Sequence, residues 1–221
     1  KTAYEIRNCD WSSDVCSSDL LLIPIIILAY PVVFWLAISC GKNHFKRLPV
    51  IGPVEVTESG DSLFHQVGDF HLLNQEGKTI SQKDLDGKIY VANFFFASCK
   101  SVCPQMNENV RRIQEKFKGV DELKIVSYTV DPDNDTVPAL AEYALKMKAD
   151  NKQWWFLTGQ KDSIYDLARD GYLLPAAQRT KENDFFHSQD LMLIDKEKRI
   201  RGIYDGRSEE HTSELQSQFR I

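Results

Sequence analysis

The chain has 221 residues, of which 43% are hydrophobic and 27% charged, as is usual for a globular protein. This length has room for one domain of ordinary size together with an anchor and a linker. The net charge is −5, and this argues against nucleic-acid binding, which calls for a clustered basic face. We therefore predict no nucleic-acid partner.

Near the N-terminus, residues 20–40 form an uncharged run rich in Leu, Ile and Val. A helix needs about 20 apolar residues to cross a bilayer, and this run is long enough. A secretory signal usually has a shorter apolar core of about 7–15 residues. We therefore predict a single N-terminal transmembrane helix at 20–40. The alternative is a lipid anchor, because residues 36–40 (LAISC) loosely fit a bacterial lipoprotein cleavage site at Cys40.

The two ends of the chain differ in character from the rest. Residues 1–19 are rich in Ser and Asp where a basic flank usually precedes an apolar segment, and residues 207–221 are similarly polar. Both resemble translated adapter or assembly sequence at the edges of gene fragments. We predict that they are non-native, and we exclude them from the domain. Residues 41–63 contain Gly and Pro with few periodic apolar positions, which is typical of a linker.

Residues 64–206 have the pattern of an α/β domain. Residues 89–96 (IYVANFFF) are nearly all apolar, as expected for a central strand that is covered on both faces. The other predicted elements are a hairpin at 70–80, helices at 104–119, 139–147 and 162–169, strands at 123–130 and 154–157, and a hairpin of 191–194 with 200–204. This order predicts a thioredoxin-like sheet with flanking helices. That fold normally ends in a helix, and the sequence after residue 206 leads us to expect a fold without its C-terminal helix.

Only two of the five cysteines, Cys99 and Cys103, belong to this domain. A lone close pair is not a disulfide framework, and it indicates redox or metal chemistry. The pair stands between the predicted central strand and the start of a helix. If this stretch is close to helical, both side chains share one face about 5–6 Å apart, which suits a disulfide or a bound metal ion. A helix N-terminus also favours the thiolate.

Residues 96–104 (FASCKSVCP) resemble the active-site signature of the Sco/SenC family. Its members are thioredoxin-fold copper chaperones that help to assemble the CuA centre of cytochrome c oxidase. Further similar segments are VDP at 130–132 with DT at 135–136, FLTG at 156–159 and FHS at 186–188. The resemblance therefore covers the whole predicted domain.

This resemblance implies that Cys99, Cys103 and His187 bind one copper ion and that the two cysteines are redox-active. The implied partners are the cytochrome c oxidase subunit that bears the CuA site, other copper or thiol-redox proteins, and a membrane. The implied location is the bacterial inner membrane, with a single-pass anchor and a domain that faces the periplasm.

The residue types agree with copper. Two thiolates and one imidazole form a soft site that favours Cu(I) and can also hold Cu(II). Structural zinc takes a fourth ligand, which no CxxC or HxxxH motif supplies here. The alternative is a metal-independent thiol-disulfide oxidoreductase that uses Cys99 and Cys103 on partner proteins. His187 separates the two functions, because dithiol exchange does not need it. We predict a metallochaperone more than an enzyme.

Overall fold

The structure, a computed structural model, describes residue 27 and residues 29–35, 48–174 and 188–219. The chain divides into two compact units, Lys1–Arg47 and Leu48–Ile221. In the first unit, residues 29–35 are helical and their side chains are exposed. Within the described residues, no helix is long and apolar enough to cross a membrane. The predicted transmembrane helix is thus not confirmed, and most of residues 20–40 lies outside the described residues.

The second unit is built on a seven-stranded sheet with helices on its faces. Its elements are β1 (Val54–Val56), β2 (Ser62–Phe64), β3 (His71–Asn74), β4 (Thr79–Ser81), β5 (Ile89–Phe95), α1 (Val102–Lys116), β6 (Leu123–Thr129), α2 (Val137–Met147), β7 (Trp154–Thr158), α3 (Lys161–Asp166), β8 (Asp190–Ile194), β9 (Ile200–Asp205) and α4 (Glu209–Gln218). The strand order is β4-β3-β7-β6-β5-β8-β9. Strands β5, β6 and β7 are parallel, and the outer pairings are antiparallel. The predicted thioredoxin-like sheet is confirmed.

Strand β5 leads directly to the cysteines. All of its residues after Ile89 are buried, because one face of the sheet packs around Phe94 and the other around Phe95. Helix α1 covers the second face with Met106, Val110 and Ile113. The loop after Phe95 therefore emerges at the carboxyl edge of a rigid, buried strand.

Two predicted boundaries are wrong. Within the predicted linker, residues 54–56 form β1, which pairs with β2, and the amide of Ile51 donates to the carbonyl of Ile200 at 2.8 Å. At the other end, α4 forms inside the excluded tail and buries Leu215 and Phe219 in the core cluster that contains α1. The fold therefore has a C-terminal helix. The sequence of α4 has too few apolar residues to show the helical periodicity from which a helix is predicted.

Candidate metal centre

The start of α1 brings the two cysteine residues together. Cys99 lies in the turn before the helix, where its amide donates to the Phe96 carbonyl at 3.2 Å. Cys103 is the second helical residue, so its amide is one of the N–H groups at a helix start that have no partner inside the helix. This amide donates to Cys99 Sγ at 3.5 Å. The pair is thus formed by a turn and a helix start, and not by a shared helix face.

Both thiols are free and withdrawn from solvent. Cys99 is 9% exposed and Cys103 is 5% exposed, and both pack in the core cluster with Phe95 and Met106. The Sγ atom of Cys99 also lies 3.7 Å from Ser101 Oγ. Both sulfurs are therefore largely shielded from solvent by the described part of the chain.

The two thiols differ in acidity. Burial opposes ionisation of Cys99, but hydrogen bonds from Cys103 and Ser101 outweigh it and lower the pKa of Cys99 to about 7. Burial raises the pKa of Cys103 to about 12, with further contributions from the hydrogen bond to Cys99 and from its charge. The expected helix-terminus effect is therefore confirmed for Cys99 alone. Near neutral pH, Cys99 is therefore the thiol of the pair that ionises, and Cys103 stays protonated.

Asp135 ties the cysteine loop to the turn that follows β6. This residue is 2% exposed, and its Oδ2 accepts hydrogen bonds from the Ala97 amide at 3.0 Å and from Thr129 Oγ1 at 2.5 Å. Burial and the charge of Asp131 raise the pKa of Asp135, although both hydrogen bonds lower it. The sequence signals a turn here through its DPDNDT run, but it does not indicate that this carboxylate reaches a second loop.

The third predicted ligand, His187, lies outside the described residues. Among the residues that the structure does describe, no group of three or more His, Cys, Asp or Glu side chains is arranged to hold a metal ion. The structure therefore brings together two of the three predicted site residues, Cys99 and Cys103.

The comparison with protein families agrees with this arrangement. The SCO1/SenC family model matches residues 59–218. The chain belongs to the SCO1/SenC family. It is similar to the crystal structure of a SCO1/SenC family lipoprotein from Bacillus anthracis str. Ames, with 29% identity, a TM-score of 0.63, and coverage of 70% of this chain and 92% of that one.

Two further solved members of the family are similar to this chain. BsSco, a member of the Sco family of cytochrome c oxidase assembly proteins in which a disulfide switch was identified, is 26% identical with a TM-score of 0.61, over 70% of this chain and 91% of that one. ScoI of Arabidopsis thaliana, solved with copper bound, is 25% identical with a TM-score of 0.55, over 69% of this chain and 97% of that one. These likenesses support the fold and a copper-related function of the Sco type.

Proposed function

We propose that this chain is a copper chaperone that delivers one copper ion to the subunit of cytochrome c oxidase that bears the CuA site. The observation that carries the proposal is the reduced, buried pair Cys99 and Cys103, joined by a hydrogen bond at the carboxyl edge of a SCO1/SenC domain. Copper bound to Arabidopsis ScoI and the assembly function of BsSco support it.

The acidity of the two thiols fits stepwise capture of a soft metal ion. The Cys99 thiolate, with a pKa of about 7, is available first. Copper then replaces the proton of the Cys103 thiol, because the charge of the metal compensates for burying a second thiolate, and that proton leaves to solvent. Two thiolates favour Cu(I). Delivery would reverse these steps as the cysteines of the partner displace Cys103 and then Cys99.

His187 is the proposed third ligand. Strand β8 is antiparallel to β5, with Ala92 opposite Met192, so β8 begins at the edge of the sheet where β5 ends. His187 precedes Asp190, the first residue of β8, by three positions, and three residues span at most about 11 Å. We propose that the imidazole of His187, within reach of this edge, completes a copper site that has two thiolates.

The redox state of the pair is proposed to control copper binding. Joining Cys99 to Cys103 in a disulfide releases two electrons and two protons to an oxidant and leaves no thiolate ligand. The second candidate function, thiol-disulfide exchange with a partner protein, uses the same pair. It is favoured by the contrast between an acidic attacking thiol and a buried resolving thiol.

The proposed anchor is the apolar segment 20–40, which would hold the domain at the periplasmic face of a bacterial inner membrane. The run carries no charge and is long enough to span a bilayer. The similar protein from Bacillus anthracis is a lipoprotein, which supports membrane attachment and favours a test of lipid attachment at Cys40 as well.

Titration of the reduced protein with Cu(I) under anaerobic conditions tests the metal site. We expect one ion per native chain, markedly weaker binding by His187→Ala and none at this site by Cys99→Ser. His71→Ala is the matched control, because His71 is exposed on β3. Unaltered stoichiometric binding by His187→Ala would refute the three-ligand site. A native protein that binds no copper but reduces a protein disulfide would favour the oxidoreductase.

A further inference from the structure

Strands β1 and β2 form a separate two-stranded ribbon beside the seven-stranded sheet. Each strand has three residues. Both ends of the ribbon are held by the domain, because the Ile51 amide donates to the Ile200 carbonyl at 2.8 Å and the Val67 amide donates to the Lys198 carbonyl at 2.9 Å. A two-stranded ribbon is only marginally stable in water, and a third strand would stabilise it.

One edge of β1 is free to accept a third strand. At the end of the ribbon, the Thr57 amide donates to the Asp61 carbonyl at 2.9 Å. Hydrogen-bonded pairs alternate along an antiparallel ribbon, so the amide and carbonyl groups of Val54 and Val56 point away from β2. In the part of the chain that the structure describes, β1 pairs with no strand other than β2. Extended peptides bind to such an edge by strand addition.

The side chains of β1 define the chemistry of a strand that fits beside it. Val54 and Val56 lie on one face of the ribbon and are 48% and 72% exposed. Glu55 lies on the other face and is also exposed. Side chains that are opposite each other on neighbouring strands share a face and interact. A complementary strand therefore alternates apolar side chains, opposite the two valines, with a basic side chain opposite Glu55.

The charge of the ribbon favours a basic peptide over other occupants. Glu55, Glu58 and Asp61 are exposed, and none of them forms an ion pair with another described residue. Residues 54–64 contain no Lys or Arg. An acidic ribbon is repelled by an anionic membrane surface and by the same ribbon of a second copy. A strand with basic side chains is attracted to it.

We propose that the free edge of β1 is a docking site for an extended segment of a partner protein, in which basic and apolar side chains alternate. The backbone of this segment pairs with Val54 and Val56, its apolar side chains cover the two valines, and a basic side chain pairs with Glu55. The site uses neither cysteine and no metal ion. It is therefore independent of the proposed copper function.

A short synthetic peptide of alternating lysine and valine, capped at both ends, tests the site. We expect saturable binding to the full chain, measured by fluorescence polarisation of the labelled peptide. We also expect slower hydrogen exchange at the amides of Val54 and Val56, measured by NMR. The control peptide has the same sequence with N-methylated backbone amides. It keeps the charge and the side chains but cannot add to a strand edge, so it should not slow the exchange.

Variants of β1 separate backbone pairing from charge. Val56→Pro removes an amide of the free edge and no hydrogen bond to β2, a position where proline is tolerated. We expect the affinity for the peptide to fall about fivefold, through loss of a hydrogen bond. Val56→Ile keeps the amide and an apolar side chain and is the control. Glu55→Gln should weaken binding about threefold, whereas Glu142→Gln, which removes an exposed carboxylate from α2, should not.

Three results would overturn the proposal. Equal binding of the N-methylated peptide, or equal effects of Glu55→Gln and Glu142→Gln, would reduce the interaction to general charge attraction. Slower exchange at Val54 and Val56 with vesicles of phosphatidylglycerol and phosphatidylcholine, in the absence of peptide, would assign the edge to a lipid surface. Slower exchange on raising the protein concentration alone would assign it to a second copy of the chain.

Discussion

At the scale of single residues, two cysteines four positions apart differ in acidity because their hydrogen bonds and their burial differ. The amide of Cys103 donates to the sulfur of Cys99, whereas the Cys103 thiol is itself buried among apolar side chains. A negative charge on Cys99 is thus solvated by the helix start, and the same charge opposes ionisation of Cys103. The pair therefore has one nucleophilic thiolate, Cys99, and one protonated thiol, Cys103.

This difference predicts the pH dependence of alkylation. With a pKa of about 7, Cys99 should react with iodoacetamide at a rate that rises through pH 7 and levels off above about pH 8. Cys103, with a pKa of about 12, should remain unlabelled throughout that range. Mass spectrometry of the labelled peptides distinguishes the two sites, and urea-unfolded protein is the control. Equal labelling of both cysteines with a midpoint near pH 9 would contradict the assignment.

The same acidity is linked to stability. The pKa of Cys99 is lower in the folded protein than its ordinary value of 9, so folding favours the thiolate. This contribution to stability is present above the unfolded pKa and is lost as the pH falls through about 7. Copper, which also requires the thiolate, should therefore bind more weakly below that pH.

At the scale of elements, the position of Cys99 depends on two loops that are joined by Asp135. Asp135→Ala would leave the part-buried Ala97 amide and the buried Thr129 hydroxyl without their acceptor. Each unsatisfied group costs about 1–3 kcal/mol, so we expect a loss of about 2–4 kcal/mol of unfolding free energy in urea denaturation. Hydrogen exchange at Ala97 should also accelerate.

The neighbouring Asp133 provides the control for this variant. It is exposed in the same turn, so Asp133→Ala should change the unfolding free energy by less than about 0.5 kcal/mol. An Asp135→Ala protein as stable as Asp133→Ala, with native exchange at Ala97, would show that the carboxylate does not hold the cysteine loop.

Elements with a strong apolar period could be predicted from sequence, and those held by tertiary contacts could not. Strand β5 is apolar throughout because both its faces are covered, and α1 repeats Met106, Val110 and Ile113 at helical spacing. By contrast, β1 and β2 expose Val56 and Leu63, and α4 has few apolar residues. The sequences of these three elements therefore lack the apolar pattern from which a strand or a helix is predicted.

The features of the site can likewise be separated into those that the sequence predicts and those that depend on tertiary contacts. The spacing of Cys99 and Cys103 after an apolar strand is local information, and it was enough to predict a thiol pair. The contact of Asp135 with the Ala97 amide joins residues 38 positions apart, and no short pattern encodes it. His187 was predicted through family resemblance, since a single His before a strand has no distinctive local signal.

At the scale of the whole molecule, the chain enters the domain at the end of the sheet opposite the cysteines. Ile51 pairs with Ile200 at the start of β9, and Ile194, opposite Ile200, pairs in turn with Tyr90 near the start of β5. The cysteine loop follows the other end of β5, about 20 Å away along the strand. The point at which residues 48–51 join the domain is therefore remote from the cysteine loop.

Arg201 binds the segment through which the chain enters the domain, residues 48–51. Its guanidinium donates to the carbonyls of Pro49, at 3.1 Å, and Leu48, and it also pairs with Asp195 at 2.9 Å. Leu48 and Ile51 are half-buried against the two core clusters. Residues 48–51 thus act as a strap that belongs to the domain, although they precede the residues matched by the family model.

This strap predicts where a shortened protein can begin. A chain that starts at Leu48 keeps the Ile51 pairing and the Arg201 contacts, whereas one that starts at Val54 loses both. We expect the shorter chain to lose about 2–4 kcal/mol, from hydrogen bonds of about 1 kcal/mol each and partial burial of two aliphatic side chains. Its thermal midpoint should then fall by about 5–10 °C.

Arg201→Ala in the longer chain should give part of this loss, because it removes the side-chain contacts but leaves the Ile51 pairing. Equal midpoints for the two chains would mean that the strap adds nothing to the stability of the domain.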